Sequence, residues 1–129
     1  MLRWASPIIY FRRTTTCDTE VAGVPMKAGA KVAIYFLSAN FDEQVFENPY
    51  EFDIYRNPNP HVAFGAAGPH YCLGASLARM QLRIMMEELV SRVPVLKRAG
   101  PDERVRSIFV NGIKHLPLDF ANLRQEPTV

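Results

Sequence analysis

Cysteine is scarce in this sequence, and the spacing of its two cysteines excludes several classes of protein. Cys17 and Cys72 lie far apart in the chain, and no CxxC pair is present. Neither a disulfide framework nor a zinc ribbon fits that spacing. Because isolated thiols are typical of a reducing compartment, the predicted location is the cytoplasm.

Long apolar runs and an excess of one charge are also missing. No stretch approaches the ~20 uninterrupted apolar residues of a membrane span, and the first residues lack the layout of a signal peptide. Fifteen basic and thirteen acidic residues give a formal net charge of +2. A balance so close to neutral gives no indication of nucleic acid or an anionic membrane as the main partner. The sequence therefore predicts no transmembrane segment and no nucleic-acid partner.

Turn residues and short β-rich runs dominate the first half of the chain. Residues 1–13 begin without an N-cap residue and reach Pro7 quickly, which predicts the end of a helix followed by an extended segment. Residues 20–36 carry two β-rich runs around a turn at residues 27–29, which predicts a hairpin with Pro25 on an edge strand. Residues 38–63 mix aromatic and turn residues, which predicts an ordered irregular segment.

The second half carries the clearest periodic signal in the sequence. Apolar residues recur at helical spacing from Leu73 to Val93, and Pro94 ends the pattern, so a long helix is predicted. Beyond it, short β-rich runs flank Asn111 and Gly112, a turn dipeptide common in hairpins. The predicted fold is mixed α and β.

A short loop before this helix, FGAAGPHYCLG at residues 64–74, is the candidate site. A cysteine just before a helix start lies near unsatisfied backbone N–H groups, which favour its thiolate form as a nucleophile or metal ligand. Gly65, Gly68 and Gly74 would let the backbone curl around the sulfur of Cys72 and let a flat cofactor approach. Backbone N–H groups pointing at that sulfur would tune a bound metal.

Other interpretations of the same loop stay open on residue types alone. Cys72 could be a small buried apolar residue, and His70 could serve only as a hydrogen-bonding or capping side chain. A zinc site would need paired ligands at short spacing, and the base-deaminase and phosphate-loop patterns are absent. A Cys–His nucleophile pair would need an orienting Asp or Asn that the sequence does not identify.

The loop and its surroundings resemble one family. Residues 64–74 followed by LARM are similar to the haem-binding loop and following helix of the cytochrome P450 monooxygenases, in Phe64, Gly65, Gly68, His70, Cys72 and Gly74. Arg3 and Trp4 resemble the end of the family's E-x-x-R helix, and residues 38–56 resemble its meander. The resemblance implies the C-terminal portion of the mainly α P450 fold. Its parts are the end of the E-x-x-R helix, a β-hairpin, the meander, the haem loop, the long helix and C-terminal β segments.

The resemblance also implies a role for each matching residue. Cys72 would be the axial ligand of the haem iron and the catalytic residue, and Arg13 and His70 would hold the haem propionates. Arg3 and Arg56 would be the two arginines of the family's Glu-Arg-Arg clamp, although a solvated surface charge is the plain alternative for each arginine. The remaining cofactor-binding positions are Phe64, Gly65, Gly68, Gly74 and Ala78.

The sequence departs from the family pattern in three places. Phe64 stands eight positions before Cys72, one more than the commonest family spacing. Phe41 and Glu43 occupy positions where the family often has Arg and Pro. The glutamate of E-x-x-R and the distal helix would lie before Met1. Residues 1–129 are thus expected to be a single C-terminal haem-binding part, with the N-terminal and distal-helix parts absent.

The activity implied by the resemblance is insertion of one oxygen atom from dioxygen into a C–H bond of a hydrophobic substrate. The implied cofactor is haem b, whose thiolate ligand favours O–O cleavage, and electrons would come from a redox partner of the ferredoxin and ferredoxin reductase type. Substrate would be contacted by apolar stretches at residues 6–11 and 108–113. The long loop and residues 110–120 resemble bacterial branches that oxidise sterols and branched-chain lipids.

A second hypothesis is a truncated, non-catalytic fragment that binds haem or a partner. One face of the porphyrin would then have no protein wall, and apolar surface would lie exposed. Such a patch predicts partner binding or aggregation.

Overall fold

The computed structural model describes residues 1–93 and 95–120, and these residues separate into two units. The first unit contains Met1–Gly65 and Ser107–Asn111, and the second contains Ala66–Arg106 and the described residues from Gly112 onward. Pro94, which the sequence predicts to end the long helix, lies outside the described residues.

Helices and strands alternate with irregular segments in both units, which confirms the predicted mixed α and β fold. The elements are α1 (Leu2–Ala5), β1 (Tyr10–Thr14), β2 (Thr19–Val21), β3 (Val24–Met26), β4 (Lys31–Tyr35), α2 (Phe36–Ala39), α3 (Ala75–Arg92), β5 (Lys97–Arg98), β6 (Glu103–Arg104), β7 (Ile113–His115) and β8 (Leu118–Asp119). The strands form four two-stranded antiparallel sheets, in the pairs β1–β4, β2–β3, β5–β8 and β6–β7.

The start of the chain follows the prediction. Helix α1 ends at Ala5, where Ser6 takes a left-handed conformation with φ of 37° and its N–H donates to the carbonyl of Leu2. Pro7 then directs the chain into an extended segment that becomes β1. The helix end followed by a strand is confirmed.

The predicted hairpin around residues 27–29 is wrong in its pairing. Strand β2 turns at Ala22 and Gly23, which both have positive φ, and pairs with β3 instead. The two-residue turn forms the hairpin in place of residues 27–29, because its dihedral angles match the twist of the flanking strands. Residues 27–29 form a separate turn, where the N–H of Gly29 donates to the carbonyl of Thr15. Strand β4 follows this turn and pairs with β1. Pro25 lies on an edge strand, as predicted.

The exposed carboxylate of Asp18 joins the two ends of the β2–β3 hairpin, so the stability of the hairpin should depend on acid pH. Asp18 accepts hydrogen bonds from Lys27 Nζ (2.6 Å) and from the N–H of Ala28 (2.9 Å). The Lys27 bond, and then the Ala28 bond, hold the pKa of Asp18 below its ordinary value. A depressed carboxyl pKa stabilises the folded hairpin at pH values above the unfolded pKa of about 3.9, and that contribution is lost as pH falls through the folded pKa.

We therefore expect the NMR chemical shift of the Ala28 amide, measured between pH 6 and pH 2, to change with a midpoint below about pH 3.9. The variant Asp18→Asn should show no such titration. A midpoint at or above the ordinary aspartate value would contradict the bonds from Lys27 and Ala28.

The segment predicted as an ordered meander is irregular from residue 40 to residue 63, after the unpredicted one-turn helix α2. Of its five aromatic residues, only Phe46 is buried, at 3% exposure. Phe41 is half-buried, and the exposed ones are Tyr50, Phe52 and Tyr55. Ring contacts order the segment instead: Trp4 lies 5.5 Å from Phe41 and 5.4 Å from Phe52, between ring centroids.

Helix α3 confirms the strongest periodic prediction, yet its apolar stripe is not covered. Ala75 is its single buried residue. The exposed apolar side chains on it are Leu77, Met80, Leu82, Ile84, Met85 and Val90. Arg92 and Glu88 form an ion pair at 2.7 Å on its surface. Exposed apolar surface is therefore observed as expected. Within residues 1–93 and 95–120, no helix combines the length and apolar character that crossing a bilayer requires.

The predicted hairpin about Asn111 and Gly112 is also corrected by the structure. Strand β7 pairs with β6, which lies well before the dipeptide, and the N–H of Val105 donates to the carbonyl of Gly112. Asn111 binds elsewhere: its N–H donates to the carbonyl of Pro7 (2.9 Å) and its Nδ2 to the carbonyl of Ala5 (2.9 Å). Hydrogen bonds to a distant segment thus outweigh the local turn preference.

Candidate functional site

Cys72 lies on a turn that leads directly into α3. The N–H of Tyr71 donates to the carbonyl of Gly68 (3.1 Å), and the N–H of Ala75 donates to the carbonyl of Cys72 (3.1 Å). Gly74 is the N-terminal cap residue of the helix. The thiol is free and exposed, so it is accessible to a ligand and is not a buried apolar residue.

Small residues leave space beside this thiol. Gly68 has a φ of +128°, a conformation that residues with a side chain rarely adopt, and an added Cβ there would meet nothing within 4 Å. A Cβ at Gly74 would lie 3.9 Å from the Cys72 sulfur. The loop therefore has no side chain at Gly68, where space is open, or at Gly74, whose Cβ position is next to the sulfur.

The other predicted site residues of the second unit flank Cys72 along the chain. His70 is exposed in the same turn, and Ala78 is half-buried in the first turn of α3, where its N–H donates to the carbonyl of Gly74 (2.9 Å). No cluster of three or more His, Cys, Asp or Glu side chains suited to a metal ion occurs in the described part of the chain. Cys72 is thus a single-residue candidate ligand.

The start of the loop belongs to the first unit. Phe64 and Gly65 are half-buried, and the N–H of Gly65 donates to the carbonyl of Val62 (2.8 Å). The Phe64 ring lies 6.3 Å from the ring of His61, and His61 Nδ1 accepts the N–H of Ala63 (3.3 Å). These contacts give residues 61–65 a defined turn.

Arg13 lies on β1 with its guanidinium near an aromatic ring. Its Cζ is 5.8 Å from the ring centroid of Phe11, and its Nη1 donates to the carbonyl of Arg12 (3.0 Å). Alternate residues of a strand face opposite sides, and Arg13 is half-buried whereas Arg12 is exposed. The two neighbouring arginines therefore differ in face and in burial.

The structure brings Arg3 and Arg56 together in the first unit. Arg3 is only 4% exposed, and it donates to the carbonyls of Asn40 (2.7 Å) and Pro49 (3.0 Å). Its Cζ also lies 4.9 Å from the ring centroid of Phe46. Burial, and then the charge of Arg56, lower the pKa of the Arg3 guanidinium. The plain alternative of a solvated surface charge is therefore excluded for Arg3.

Arg56 lies at the end of the meander and binds backbone carbonyls within it. It donates to the carbonyls of Glu47 (2.6 Å) and Asn48 (3.0 Å). Its Nε is buried and has no hydrogen-bond partner among the described residues. Two nearby cations with one unpartnered donor form a site that suits an additional acceptor.

Two apolar stretches that the sequence links to substrate meet in the first unit. Ile8 and Val110 form a β-bridge, and the N–H of Ile9 donates to the carbonyl of Phe109 (3.0 Å). Ile108 is 80% exposed beside this bridge. Of the predicted stretches 6–11 and 108–113, residues 7–11 and 108–111 therefore form one largely apolar surface in the first unit, whereas Ser6 is buried and residues 112–113 belong to the second unit.

Sequence reasoning missed a buried polar network around Asn40. Ser6 and Asn40 are both 0% exposed, and Asn40 Nδ2 donates to Ser6 Oγ (2.8 Å). No periodic pattern marks either residue, because both lie where irregular segments meet. Only the three-dimensional contacts reveal them.

The chain is similar in sequence and in structure to known proteins of one family. The sequence model described as Cytochrome P450 matches residues 1–114. The curated steroid C26-monooxygenase of Mycobacterium tuberculosis (strain ATCC 25618 / H37Rv) is 48% identical over 120 residues, which are 93% of this chain and 28% of that protein. The methyl-branched lipid omega-hydroxylase of Mycobacterium bovis (strain ATCC BAA-935 / AF2122/97) is 46% identical over 121 residues, 94% of this chain and 28% of that protein.

A solved structure agrees with these sequence matches. A Mycobacterium marinum cytochrome P450 in complex with pseudoionone superposes with a TM-score of 0.89 at 44% identity, over 92% of this chain and 28% of that one. The chain therefore spans little more than a quarter of the length of the relatives it matches.

Proposed function

This chain belongs to the cytochrome P450 family, and we propose that it is the haem-binding C-terminal part of a haem-thiolate monooxygenase. The observation that carries the proposal is the free, exposed thiol of Cys72 on a turn of small residues before α3. Residues 1–129 form a single haem-binding part in this proposal.

The residues present fit a haem group. The proposed cofactor is haem b, which Cys72 would hold through its thiolate sulfur as the ligand of the iron and the catalytic residue. When bound, haem supplies activation of dioxygen and one-electron chemistry that protein side chains lack. Gly68 and Gly74 support this fit, because neither carries a side chain that would limit the approach of a flat ring and space is open at Gly68.

The chain's own residues would bind and orient the group. Arg13 and His70 would donate hydrogen bonds to the propionates, because charge-assisted bonds to carboxylates are short and strong. The remaining contacts proposed are Phe64, Gly65, Gly68, Gly74 and Ala78. The thiolate of Cys72 would donate electron density to the iron.

Arg3 and Arg56 would serve as a structural clamp that a carboxylate completes. The support is the unpartnered, buried Nε of Arg56 and the lowered pKa of Arg3 beside it. A carboxylate there would satisfy the donor and offset the repulsion between two cations. The proposed source is the glutamate of the family's E-x-x-R helix.

The proposed substrate is a hydrophobic molecule of the sterol or branched-lipid class. The apolar surface formed by residues 7–11 and 108–111 supports this class, as do the names of the two curated relatives. Dioxygen is the proposed co-substrate, and electrons would come from a ferredoxin and ferredoxin reductase. The proposed location is the cytoplasm, where Cys17 and Cys72 would stay reduced.

A second candidate function is a non-catalytic fragment that binds haem or a partner. The exposed apolar side chains of α3, such as Leu77, Met85 and Val90, favour it for the isolated chain, because uncovered patches of this kind associate with other surfaces. A fragment of this kind that binds haem would do so without oxygen insertion.

The absorption spectrum of the reconstituted 129-residue chain tests the proposal. After haem addition, reduction with dithionite and exposure to carbon monoxide, we expect the strongly red-shifted Soret band of a thiolate-ligated complex. A band typical of imidazole-ligated haem, or no bound haem, would contradict ligation by Cys72. Thiolate-ligated haem without turnover of a sterol substrate in the presence of reductant partners would favour the second candidate.

Neighbouring arginines on β1 offer a matched test of the propionate site. The variant Arg13→Met should weaken haem binding about tenfold, because one charge-assisted hydrogen-bonded pair is lost. Arg12→Met removes the same charge from the opposite face and should leave the affinity within about twofold. Titration of each chain with haem, followed by absorption, measures both values. Equal losses in the two variants would mean that only net charge matters.

A further inference from the structure

Asn40 is a fully buried polar residue that has no role in the proposed haem contacts. It follows α2 and is 0% exposed. Its backbone N–H donates to the carbonyl of Phe36 (2.9 Å), and its carbonyl accepts from Arg3 Nη1 (2.7 Å). A buried amide side chain is costly unless both of its ends are bonded, so the partners of that side chain are informative.

The donor end of the Asn40 amide binds Ser6, the residue that follows α1. Nδ2 donates to Ser6 Oγ (2.8 Å), and Ser6 Oγ itself donates to the carbonyl of Arg3 (2.6 Å). Because the hydroxyl proton of Ser6 is already used, Ser6 can only accept from Asn40. The amide therefore has one satisfied orientation, with its oxygen pointing away from Ser6.

The acceptor end of the same amide holds the backbone at Val62. Oδ1 accepts the N–H of Val62 (2.8 Å), and the carbonyl of Val62 accepts the N–H of Gly65 (2.8 Å). Both backbone polar groups of Val62 are thus hydrogen-bonded, and Ala63 after it is buried. Two hydrogen bonds in series connect Asn40 with the first glycine of the loop that leads to Cys72.

We propose that Asn40 is a positioning residue for the start of the loop at residues 64–74, which it orients by fixing the backbone at Val62 in the first unit. The inference rests on the proposed function in so far as that loop holds haem. Asn40 acts through Val62 and is not itself a haem contact in this proposal. A purely structural role, in contrast, would make the loss of Asn40 equivalent to the loss of its other partner, Ser6.

Three variants separate these roles. Asn40→Ala removes both ends of the amide and releases Val62. Ser6→Ala removes the acceptor for Nδ2 and the donor to the carbonyl of Arg3, and it leaves the bond from Val62 to Asn40 in place. Asn40→Asp keeps an oxygen that can accept the N–H of Val62 while losing the donor to Ser6, so it is the rescue variant.

Amide hydrogen exchange of the haem-free full chain gives the first readout. The exchange rate of Val62 is divided by that of Ile34, an amide of the β1–β4 sheet that reports opening of the first unit as a whole. We expect this ratio to rise at least about tenfold in Asn40→Ala and to stay within about threefold of the wild-type ratio in Ser6→Ala and Asn40→Asp.

The second readout is the fraction of bound haem that shows the thiolate-type Soret band with carbon monoxide. We expect this fraction to fall several-fold in Asn40→Ala and to be retained in the other two variants. A loss of stability alone would reduce the amount of folded protein without changing the band of the haem that remains bound.

The outcomes distinguish this inference from the proposed function. Equal exchange ratios in Asn40→Ala and Ser6→Ala overturn the inference, whatever the haem spectra show. The inference is also overturned if the wild-type chain binds haem through a thiolate and Asn40→Ala shows the same thiolate fraction. The proposed function is then left standing. If the wild-type chain shows no thiolate haem while the exchange ratios separate, the proposed function fails and the positioning of Val62 by Asn40 is supported.

Discussion

Replacing Cys72 by serine is expected to abolish the red-shifted Soret band of the reduced, carbon monoxide-treated chain. Serine has nearly the same size, so the turn from Gly68 to Ala75 should be kept, but its hydroxyl does not replace a thiolate as a ligand of haem iron. The measurement is the difference spectrum of equal amounts of reconstituted wild-type and Cys72→Ser chain.

The second cysteine provides the matched control for this experiment. Cys17 is also free and exposed, and it lies in the first unit in a turn before β2. Cys17→Ser should therefore keep the full thiolate band. A band that survives in Cys72→Ser, or that disappears in Cys17→Ser, would show that Cys72 is not the ligand.

Removal of the Arg3 guanidinium is expected to produce the largest loss of stability of any single substitution considered for the first unit. Arg3→Met keeps most of the side-chain volume but leaves the buried carbonyls of Asn40 and Pro49 without their donors. It also removes the contact of the cation with the rings of Phe41 and Phe46. Unsatisfied buried carbonyls cost about 1–3 kcal/mol each, so the free energy of unfolding should fall by about 3 kcal/mol.

Urea denaturation followed by tryptophan fluorescence measures this loss. Trp4 is the single tryptophan and contacts Phe41 and Phe52, so its emission reports the first unit. Arg12→Met, at an exposed arginine on β1, should change the free energy of unfolding by no more than about 0.5 kcal/mol. Similar losses in the two variants would mean that the buried bonds of Arg3 contribute little.

Several elements could be predicted from the sequence because their signals are local. Helix α3 follows from apolar residues three and four positions apart, and the end of α1 follows from Pro7. The irregular meander follows from its turn residues. The family follows from the loop that carries Cys72, since its glycines, histidine and cysteine stand close together in the chain.

Strand pairing could not be predicted in the same way. Strand β4 has two candidate neighbours with similar β-forming composition, and the sequence pattern favours the nearer one. The turn at Ala22 and Gly23 pairs β2 with β3 and leaves β4 to pair with β1, in register from Tyr10 opposite Tyr35. That choice depends on contacts between residues about twenty positions apart, which no local pattern encodes.

The sequence by itself determined the chemistry of this protein: the thiol at Cys72, the small residues around it, the long helix behind it and the family to which they belong. Tertiary structure alone decided which polar groups are buried and what holds them. Arg3 is buried under the meander, and Asn40 joins Ser6 to Val62, because hydrogen bonds between segments far apart in the chain satisfy their polar groups. Periodicity and turn preferences act over a few residues, whereas burial is settled only when distant segments meet.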